Sequence, residues 1–418
     1  MNDRSPVVPR RVVVTGLGLA TALGFEPGEF WARLLSGESG IRRLPWLTDD
    51  SPQPVKFAGW IDDPALAAAG ARLGIDEAER GDQLAVTVVG TALEDAGWPT
   101  DRSRALPHDL ILGTGHGTVG VTNEATRNFL EGGYRRMRPT TVVRSMFNRP
   151  ANLGSIRFRL TGSSYVVSCA CATGAIAFGE AYQRVRLGLA DAAVAACADS
   201  GLDVTTFSAW NRLGVLARHA DPARACRPFD RDRTGFVLGE GAAGFVLEPL
   251  ETAQARGARI RAEVVGYGST SDAHHLVQPD ADGQVRAIRR ALAGAGVGPE
   301  AVGYINAHGT ATELADLAEA QALGTVLGER AGSLPLSNNK AQLGHLMGAT
   351  AGVELASTVL ALERGCFPPC RNLDDPDPRC PLGFIRGEPL HAPVEYALKN
   401  SFAFGGTNAA ILLRRWSP

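Results

Sequence analysis

The most informative segment of the chain runs Tyr165-Val166-Val167-Ser168-Cys169-Ala170-Cys171-Ala172-Thr173-Gly174. Its first part is apolar and β-branched, and it breaks at a cysteine before passing into an alanine-rich region. From residue 172 to about residue 188, small and aliphatic side chains recur at helical spacing. The segment therefore predicts a strand, a tight turn and a buried helix, with Cys171 in the first turn of that helix.

A cysteine in that position is a candidate nucleophile. The start of a helix leaves backbone N–H groups unpaired and carries the positive end of the helix dipole, and both features stabilise an anion. We therefore expect the pKa of the Cys171 thiol to be lowered and the thiolate to be favoured. The alternative is a small buried cysteine of the core, and this segment alone does not separate the two.

Composition excludes several classes of function. The 418 residues, 44% of them hydrophobic and 49 of them glycine, suffice for one large core or two medium ones. The 42 basic and 44 acidic residues nearly cancel, which does not favour a nucleic-acid or membrane-surface partner. Residues 1–11 are polar and proline-containing, and no apolar run approaches the ~20 residues of a membrane span. Seven cysteines without framework spacing fit reduced thiols, so we expect a soluble cytoplasmic protein.

Alternating strand and helix patterns extend along the whole chain. The continuous apolar run at residues 191–198 predicts a buried strand, and we expect the sheet to be parallel. Residues 236–247 predict a pair of strands, and residues 139–152 predict a loop or a subunit contact. The opening Gly16-x-Gly18 turn does not complete a dinucleotide-binding motif.

The pattern begins again near Arg261. Residues 262–268 parallel the opening strand and its glycines, which indicates a weak internal repeat. We expect an N-terminal half at residues 1–257 and a C-terminal half at residues 258–418. Polar residues follow several strand ends, and in α/β sheets such ends converge on a site.

Four motifs follow one another in a definite order. They are Ala170-Cys171-Ala172-Thr173-Gly174, Asn306-Ala307-His308-Gly309-Thr310-Ala311-Thr312, Lys340 with Gly344-His345-Leu346, and Asn400-Ser401-Phe402-Ala403-Phe404-Gly405-Gly406-Thr407-Asn408. With these motifs the chain resembles, over nearly its whole length, the β-ketoacyl-acyl-carrier-protein synthases of the elongating Cys-His-His type. The resemblance implies an α/β, thiolase-like fold of two pseudo-repeated halves in five layers, α/β/α/β/α, and generally a homodimer.

The implied reaction is a decarboxylative Claisen condensation. Cys171 would take an acyl group from the phosphopantetheine thiol of an acyl carrier protein. His308 and His345, as neutral N–H donors, would stabilise the enolate formed from a malonyl thioester. By resemblance Lys340 pairs with Glu354 and orients the histidines.

The resemblance and the residue chemistry also suggest how substrate is bound. The backbone N–H groups of Cys171 and Phe404 would hold the tetrahedral oxyanion, and glycines 405 and 406 permit that approach. Thr310 and Thr312 would bind the pantetheine arm. No metal and no further cofactor is expected. The other substrate-binding residues expected are Phe402, Gly405, Gly406, His116 and Trp210.

Departures from the family pattern concern specificity. His116 stands where a small or branched apolar residue is usual, and could shorten or polarise the acyl pocket. Trp210 replaces a common phenylalanine, Thr141 an aromatic residue, and Ala403 a glycine of the gating loop. A specialised polyketide or polyene enzyme and a fatty-acid enzyme both stay open.

Four other assignments are weaker. A non-catalytic, chain-length-determining partner subunit of a heterodimer would characteristically lack the cysteine, and a thiolase would need a second cysteine among residues 400–409. The candidate zinc ligands Cys366, Cys370, Cys380 and His391 are poorly spaced, and adjacent His274 and His275 cannot easily share a metal.

The arginines expected to dock the acidic carrier are Arg135, Arg136, Arg138 and Arg144.

Overall fold

The computed structural model describes residues 8–75 and 79–417, so part of the N-terminal segment considered above lies outside it. The strands are β1 (Val12–Ala20), β2 (Ile41–Arg43), β3 (Phe57–Gly59), β4 (Asp109–Gly113), β5 (Ser164–Val167), β6 (Ala193–Asp199), β7 (Gly241–Pro249), β8 (Ala262–Ser271), β9 (Val302–Asn306), β10 (Leu336–Ser337), β11 (Cys366–Phe367), β12 (Leu390–His391), β13 (Tyr396–Phe402) and β14 (Thr407–Arg415). The α-helices are α1 (Pro27–Leu35), α2 (Asp63–Leu73), α3 (Arg80–Asp95), α4 (Val119–Gly132), α5 (Thr141–Ser145), α6 (Arg149–Phe158), α7 (Thr173–Arg186), α8 (Val204–Leu213), α9 (Leu250–Ala255), α10 (Ala281–Ala295), α11 (Glu313–Leu327), α12 (Lys340–Leu343) and α13 (Thr350–Arg364).

Ten strands form one sheet that contains the same pattern twice. Five strands lie in the order β5-β4-β6-β7-β1, and five more lie in the order β10-β9-β13-β14-β8. Numbered along the chain within each group, both orders are third, second, fourth, fifth, first. The short pairing of β1 with β8, at Val12 opposite Val264, joins the two groups. The weak repeat seen in the sequence thus corresponds to two equivalent sets of strands.

The prediction of a parallel sheet is wrong for part of each group. β4 runs parallel to β5 and β6, but β7 is antiparallel to both β6 and β1. β14 is likewise antiparallel to β13 and β8. The continuous apolar run of β6 indicated burial on both faces. Burial on both faces does not by itself fix strand direction, because helices can cover antiparallel strands as well.

Helices pack in three layers around the two strand groups, which confirms the five-layer fold. The central core joins α7 and α13 to strands of both groups. One outer core contains α3 and α6, and the other contains α10 and α11. The central helices approach closely because a Cβ on Gly174 of α7 would lie 2.7 Å from the backbone nitrogen of Gly352 in α13. Two glycines at this crossing bring the residues that precede each helix close together.

Two local predictions also need correction. Residues 139–152 are not simply a loop, because they form α5 and the start of α6. Their arginines do not prevent helix formation, since Arg144 pairs with Glu79 and Arg149 lies 2.6 Å from Asp82. Residues 236–247 contain one strand, β7, because residues 236 and 238 form only isolated bridges.

No helix within the described ranges is both long and apolar enough to cross a membrane.

Candidate active site

The turn between β5 and α7 presents Cys171. Ala170 has a φ of +46°, a left-handed backbone conformation that sharply redirects the chain before the cysteine. The Thr173 hydroxyl accepts a hydrogen bond from the Cys169 N–H at 2.7 Å and fixes the turn. Cys171 therefore lies just before α7 rather than inside it. The residue is 8% exposed and lines a cavity of about 300 Å³.

One predicted histidine contacts this thiol, and the other lies next to the first in the same cavity. His345 Nε2 is 3.1 Å from Cys171 Sγ, and His345 Nδ1 is 2.8 Å from the Thr350 hydroxyl oxygen. The His308 ring centroid is 5.7 Å from that of His345, in an edge-to-face arrangement. The structure thus brings together a cysteine that follows β5 and two histidines that follow β9 and α12.

Burial keeps both imidazoles uncharged. It lowers the pKa of His308 and that of His345 well below 6.5, and the nearby positive charge of Lys340 lowers both further. A neutral imidazole can donate a hydrogen bond from its N–H group to a developing enolate oxygen without transferring the proton. The environment therefore supports the hydrogen-bonding role inferred from the sequence.

The expectation of a lowered thiol pKa is wrong for the free protein. Burial raises the pKa of Cys171 to about 11, and the charge of Lys340 and the Phe404 N–H offset this only in part. Desolvation disfavours a buried thiolate more than the nearby donors favour it. Activation must therefore accompany proton transfer or substrate binding. The backbone N–H groups of Phe404 and Cys171 nevertheless both stabilise negative charge at this sulfur.

Lys340 and Glu354 form a buried pair next to the histidines. Lys340 Nζ donates to Glu354 Oε1 at 2.7 Å and also to the backbone carbonyl of His308. A second buried lysine, Lys399 of β13, lies 2.9 Å from Glu354 Oε2 as an ion contact rather than an aligned hydrogen bond. The sequence analysis missed Lys399, although a lysine that directly follows the apolar residues Ala397 and Leu398 in a strand is a signal of a buried charge pair.

The loop that carries His308 is held by two acidic residues of α11, which the sequence analysis also missed. The Glu319 carboxylate accepts hydrogen bonds from the N–H groups of His308 at 2.8 Å and Gly309 at 2.7 Å. The Asp316 carboxylate accepts from the N–H of Thr310 at 2.9 Å. Asp316 and Glu319 are three residues apart and therefore lie on the same side of a largely apolar helix. This spacing was visible in the sequence and indicates two buried carboxylates.

The cavity over Cys171 contains most of the predicted binding residues. Thr310 and Thr312 share a hydrogen bond of 2.8 Å between their hydroxyl groups. Gly405, which is exposed, donates its N–H to the Leu276 carbonyl at 2.7 Å and does not line the cavity. The predicted residues that do line it are Cys171, Trp210, His308, Thr310, Thr312, His345, Phe402, Phe404 and Gly406.

His116 lies behind Trp210 and not in the cavity wall. Its Nδ1 is 3.1 Å from Asp199 Oδ1, and its Nε2 accepts a hydrogen bond of 3.3 Å from the Trp210 indole. Burial lowers the pKa of His116, but the charge and hydrogen bond of Asp199 outweigh burial and raise it overall. Thr141, the first residue of α5, is not part of the lining of the Cys171 cavity.

The four residues weighed as zinc ligands do not form a cluster. Cys366 Sγ lies 3.9 Å from His391 Nε2, whereas the thiols of Cys370 and Cys380 contact backbone carbonyls. Across residues 8–75 and 79–417, no group of three or more His, Cys, Asp or Glu side chains is placed to hold a metal ion. All seven cysteines are free thiols.

Comparisons with known proteins agree with this site. Residues 9–253 match the β-ketoacyl synthase N-terminal domain, and residues 261–374 match the corresponding C-terminal domain. The chain is 36% identical over 413 residues to a 3-oxoacyl-[acyl-carrier-protein] synthase 2 of Synechocystis, covering 97% of this chain and 98% of that protein.

Two solved structures share the fold over nearly all of the chain. The ishigamide ketosynthase/chain length factor has a TM-score of 0.89 and 34% identity, and covers 98% of this chain and 100% of that one. A type II polyketide ketosynthase in complex with its acyl-carrier protein has a TM-score of 0.90 and 29% identity, with the same coverage. With two domain matches, a nearly full-length relative and a shared fold, the chain belongs to the β-ketoacyl synthase family.

Proposed function

We propose that this β-ketoacyl synthase joins an acyl group held on Cys171 to a malonyl group on an acyl carrier protein, giving a 3-oxoacyl-carrier protein and carbon dioxide. One observation carries the proposal. A buried thiol lies 3.1 Å from a neutral histidine whose ring packs against a second neutral histidine, in a cavity that Thr310 and Thr312 also line. The similarity to a 3-oxoacyl-[acyl-carrier-protein] synthase 2 of Synechocystis supports the same reaction.

In the first step the Cys171 sulfur attacks the carbonyl carbon of the carrier thioester. The new C–S bond forms as the bond to the pantetheine sulfur breaks, and the thiol proton ends on that departing sulfur. His345 Nε2, 3.1 Å from Sγ, is placed to relay this proton. Thr350 can either donate to or accept from His345 Nδ1, so its hydroxyl is compatible with both neutral tautomers.

In the second step the malonyl carboxylate leaves as carbon dioxide. The electron pair of the broken C–C bond passes into an enolate, whose oxygen would accept hydrogen bonds from His308 and His345. The enolate carbon then attacks the acyl carbonyl, the C–S bond to Cys171 breaks, and the released thiolate takes a proton from water to restore the thiol. The N–H groups of Cys171 and Phe404, which already stabilise charge at the sulfur, would hold the intervening oxyanion.

The histidines would be positioned by three buried charged residues that do not touch substrate, Lys340, Glu354 and Lys399. Lys340 donates a hydrogen bond to the backbone carbonyl of His308 and not to its ring.

We also propose residues 1–257 and 258–418 as the two functional halves, one supplying the nucleophile and the other the histidines. The reaction needs no cofactor beyond the carrier's phosphopantetheine, and we expect it to occur in the cytoplasm.

The carrier protein is the expected partner, and Arg135 is the strongest of the four docking candidates. Arg136, Arg138 and Arg144 each pair with a glutamate of this chain, whereas Arg135 lies over the Tyr134 ring. Reversing the charge with Arg135→Glu should raise the KM for the carrier protein without changing the KM for a free pantetheine thioester. An unchanged carrier KM would remove Arg135 from the docking surface.

A chain-length-determining partner subunit is the second candidate, because one similar structure is the ishigamide ketosynthase/chain length factor. The intact set of Cys171, His308 and His345 favours the catalytic member of such a pair.

The pathway is open between fatty-acid and polyketide or polyene synthesis. Comparing the turnover of saturated, unsaturated and aryl acyl-carrier substrates separates these pathways. A clear preference for saturated chains would exclude the specialised polyketide or polyene enzyme.

Product formation tests the proposed reaction. The wild-type protein should release carbon dioxide and form a 3-oxoacyl-carrier protein, while His308→Ala should retain acylation of Cys171 but lose decarboxylation. Losing one preorganised donor is expected to cost roughly a hundredfold or more in rate. Equal decarboxylation by the wild type and the variant would show that His308 does not hold the enolate.

A further inference from the structure

Lysine is rare in this chain, and two of its lysines meet at one buried carboxylate. Of the 42 basic residues only three are lysines, Lys56, Lys340 and Lys399. Lys340 Nζ lies 2.7 Å from one oxygen of Glu354, and Lys399 Nζ lies 2.9 Å from the other. An arginine is bulkier and always charged, whereas lysine is a compact charge whose pKa responds to its surroundings. In a chain that elsewhere uses arginine, these two buried positions indicate a requirement for lysine.

A second buried carboxylate balances the charge of Lys399. Two lysines on one glutamate leave an excess positive charge, which is costly away from water. Asn400 links Lys399 to Glu319, because its carbonyl accepts a hydrogen bond from Lys399 Nζ and its Nδ2 donates to Glu319 Oε1 at 3.3 Å. Burial raises the pKa of Glu319, and the charge of Lys399 opposes that rise. The four residues Lys340, Glu354, Lys399 and Glu319, here called the charge cluster, have no net charge when all are ionised.

The charge cluster encloses the loop that carries His308. Lys340 donates to the His308 carbonyl and Glu319 accepts from the His308 N–H at 2.8 Å, so the cluster binds this residue through both of its backbone groups. Lys399 lies opposite Asn306 in the parallel pairing of β13 with β9, two residues before His308. None of the four residues of the cluster lines the cavity over the thiol. The cluster can therefore act on the reaction only through the residues that it surrounds.

The positive charges of the cluster act on both imidazoles. Burial lowers the pKa of His308 and of His345, and the charges of the two buried lysines lower both pKa values further. His116 is another titratable group that lowers the pKa of His345. Burial lowers the pKa of Lys399 as well, and the charge of Glu354 opposes that shift. Without the charge of Lys399 the cluster would be negative, and a nearby negative charge favours the protonated imidazole.

We propose that Lys399 is a positioning residue for the condensation step, and that its charge keeps His308 and His345 in the neutral form that donates to the enolate. The inference deepens the proposed function and rests on it, because the charge of the histidines matters only if they hold the enolate. It gives position 399 a requirement for a cation that packing alone would not impose.

The test measures single-turnover discharge of acyl-Cys171 by malonyl-pantetheine from mildly alkaline to mildly acidic pH. Acylation of Cys171 at neutral pH first shows that each variant is folded. Lys399→Met removes the charge and keeps the length of the side chain. The pH at which the discharge rate is halved should be higher in this variant than in the wild type by about one unit or more. Lys56→Met, at the third lysine, which donates to the Asp49 carbonyl outside the cluster, is the matched control and should keep the wild-type value.

The double variant Lys399→Met and Glu319→Gln separates charge from packing, because it removes one charge of each sign. Its half-rate pH should return towards the wild-type value even where its rate is lower. If Lys399→Met alone is not acylated, the double variant is compared with Glu319→Gln, and loss of Lys399 should again raise the half-rate pH. An unchanged half-rate pH on loss of Lys399, or a shift that the double variant leaves in place, would overturn this inference alone. A wild type that is neither acylated nor discharged would instead overturn the proposed function.

Discussion

Cys171 is a buried thiol whose reactivity should depend strongly on pH. Its pKa is raised to about 11, so the thiolate fraction grows through the whole neutral and mildly alkaline range. The rate of iodoacetamide labelling at Cys171, measured by mass against Cys171→Ala, should therefore keep rising through about pH 9. A plateau near neutral pH would show that the helix dipole and backbone donors outweigh desolvation.

The two histidines should extend activity to acidic pH. The neutral imidazole is the form proposed to act, and the pKa of each histidine lies well below 6.5. Protonation, and with it the loss of activity, therefore begins only well below that pH. Single-turnover discharge of acyl-Cys171 by malonyl-carrier protein should stay level as pH falls from neutral through 6.5. A rate that halves near pH 6.5 would contradict buried, neutral histidines.

The motifs of the sequence predicted Cys171, His308, His345, Lys340 and Glu354, and the structure brings all five together. The thiol pKa could not be predicted in the same way. A helix start is a local feature visible in the sequence, whereas desolvation depends on distant segments that cover the sulfur. For the same reason His116 was expected in the pocket wall but lies behind Trp210.

At the scale of elements, α11 holds the loop that carries His308 through Glu319. Glu319→Gln keeps the size of the side chain but replaces one charged acceptor oxygen with an amide N–H donor that faces a backbone N–H. We expect a loss of about 1–3 kcal/mol in the free energy of unfolding. Discharge of acyl-Cys171 should slow roughly tenfold, while acylation of Cys171 should change little, because the loop carries His308 and not the nucleophile.

Denaturant titration and single-turnover mass analysis measure the two effects of Glu319→Gln separately. Glu329→Gln, at an exposed position just beyond α11, is the matched control and should change neither. If Glu319→Gln slowed acylation and discharge equally, the carboxylate would have a general structural role rather than a role in placing His308.

The apolar pattern predicted α7, whose small and aliphatic side chains recur at helical spacing, and β6, which is a continuous apolar run. It did not predict the direction of β7 and β14. These strands are buried on both faces like their parallel neighbours, and their direction follows from connections that the apolar pattern does not encode. α5 was missed because it is five residues long and exposes its apolar side chains.

At the scale of the whole molecule, one surface indicates self-association. Exposed apolar side chains cluster between α4 and α6, among them Phe129, Leu130, Val142, Val143 and Ile156. The ten-stranded sheet also ends at β5, whose outer edge is unpaired within the described chain. Such surfaces mark contacts with another protein, and an open β-branched edge is prone to pairing.

We therefore expect the wild type to have the mass of a dimer by light scattering, and the double variant Val142→Glu and Val143→Glu to have the mass of a monomer. Charges buried at an interface without partners are strongly destabilising. Leu189→Glu, at an exposed leucine between α7 and β6, is the control and should remain dimeric. A wild type that is monomeric when purified alone would point to a heterodimer with a different chain.

Intact-mass analysis after mixing the protein with acyl-carrier thioesters, and then with malonyl-carrier protein, tests the condensing mechanism most directly. The wild type should gain one acyl group, and Cys171→Ala should gain none. Malonyl-carrier protein should then discharge the adduct with release of carbon dioxide. No adduct with any carrier would contradict catalysis by Cys171 and favour the non-catalytic partner subunit.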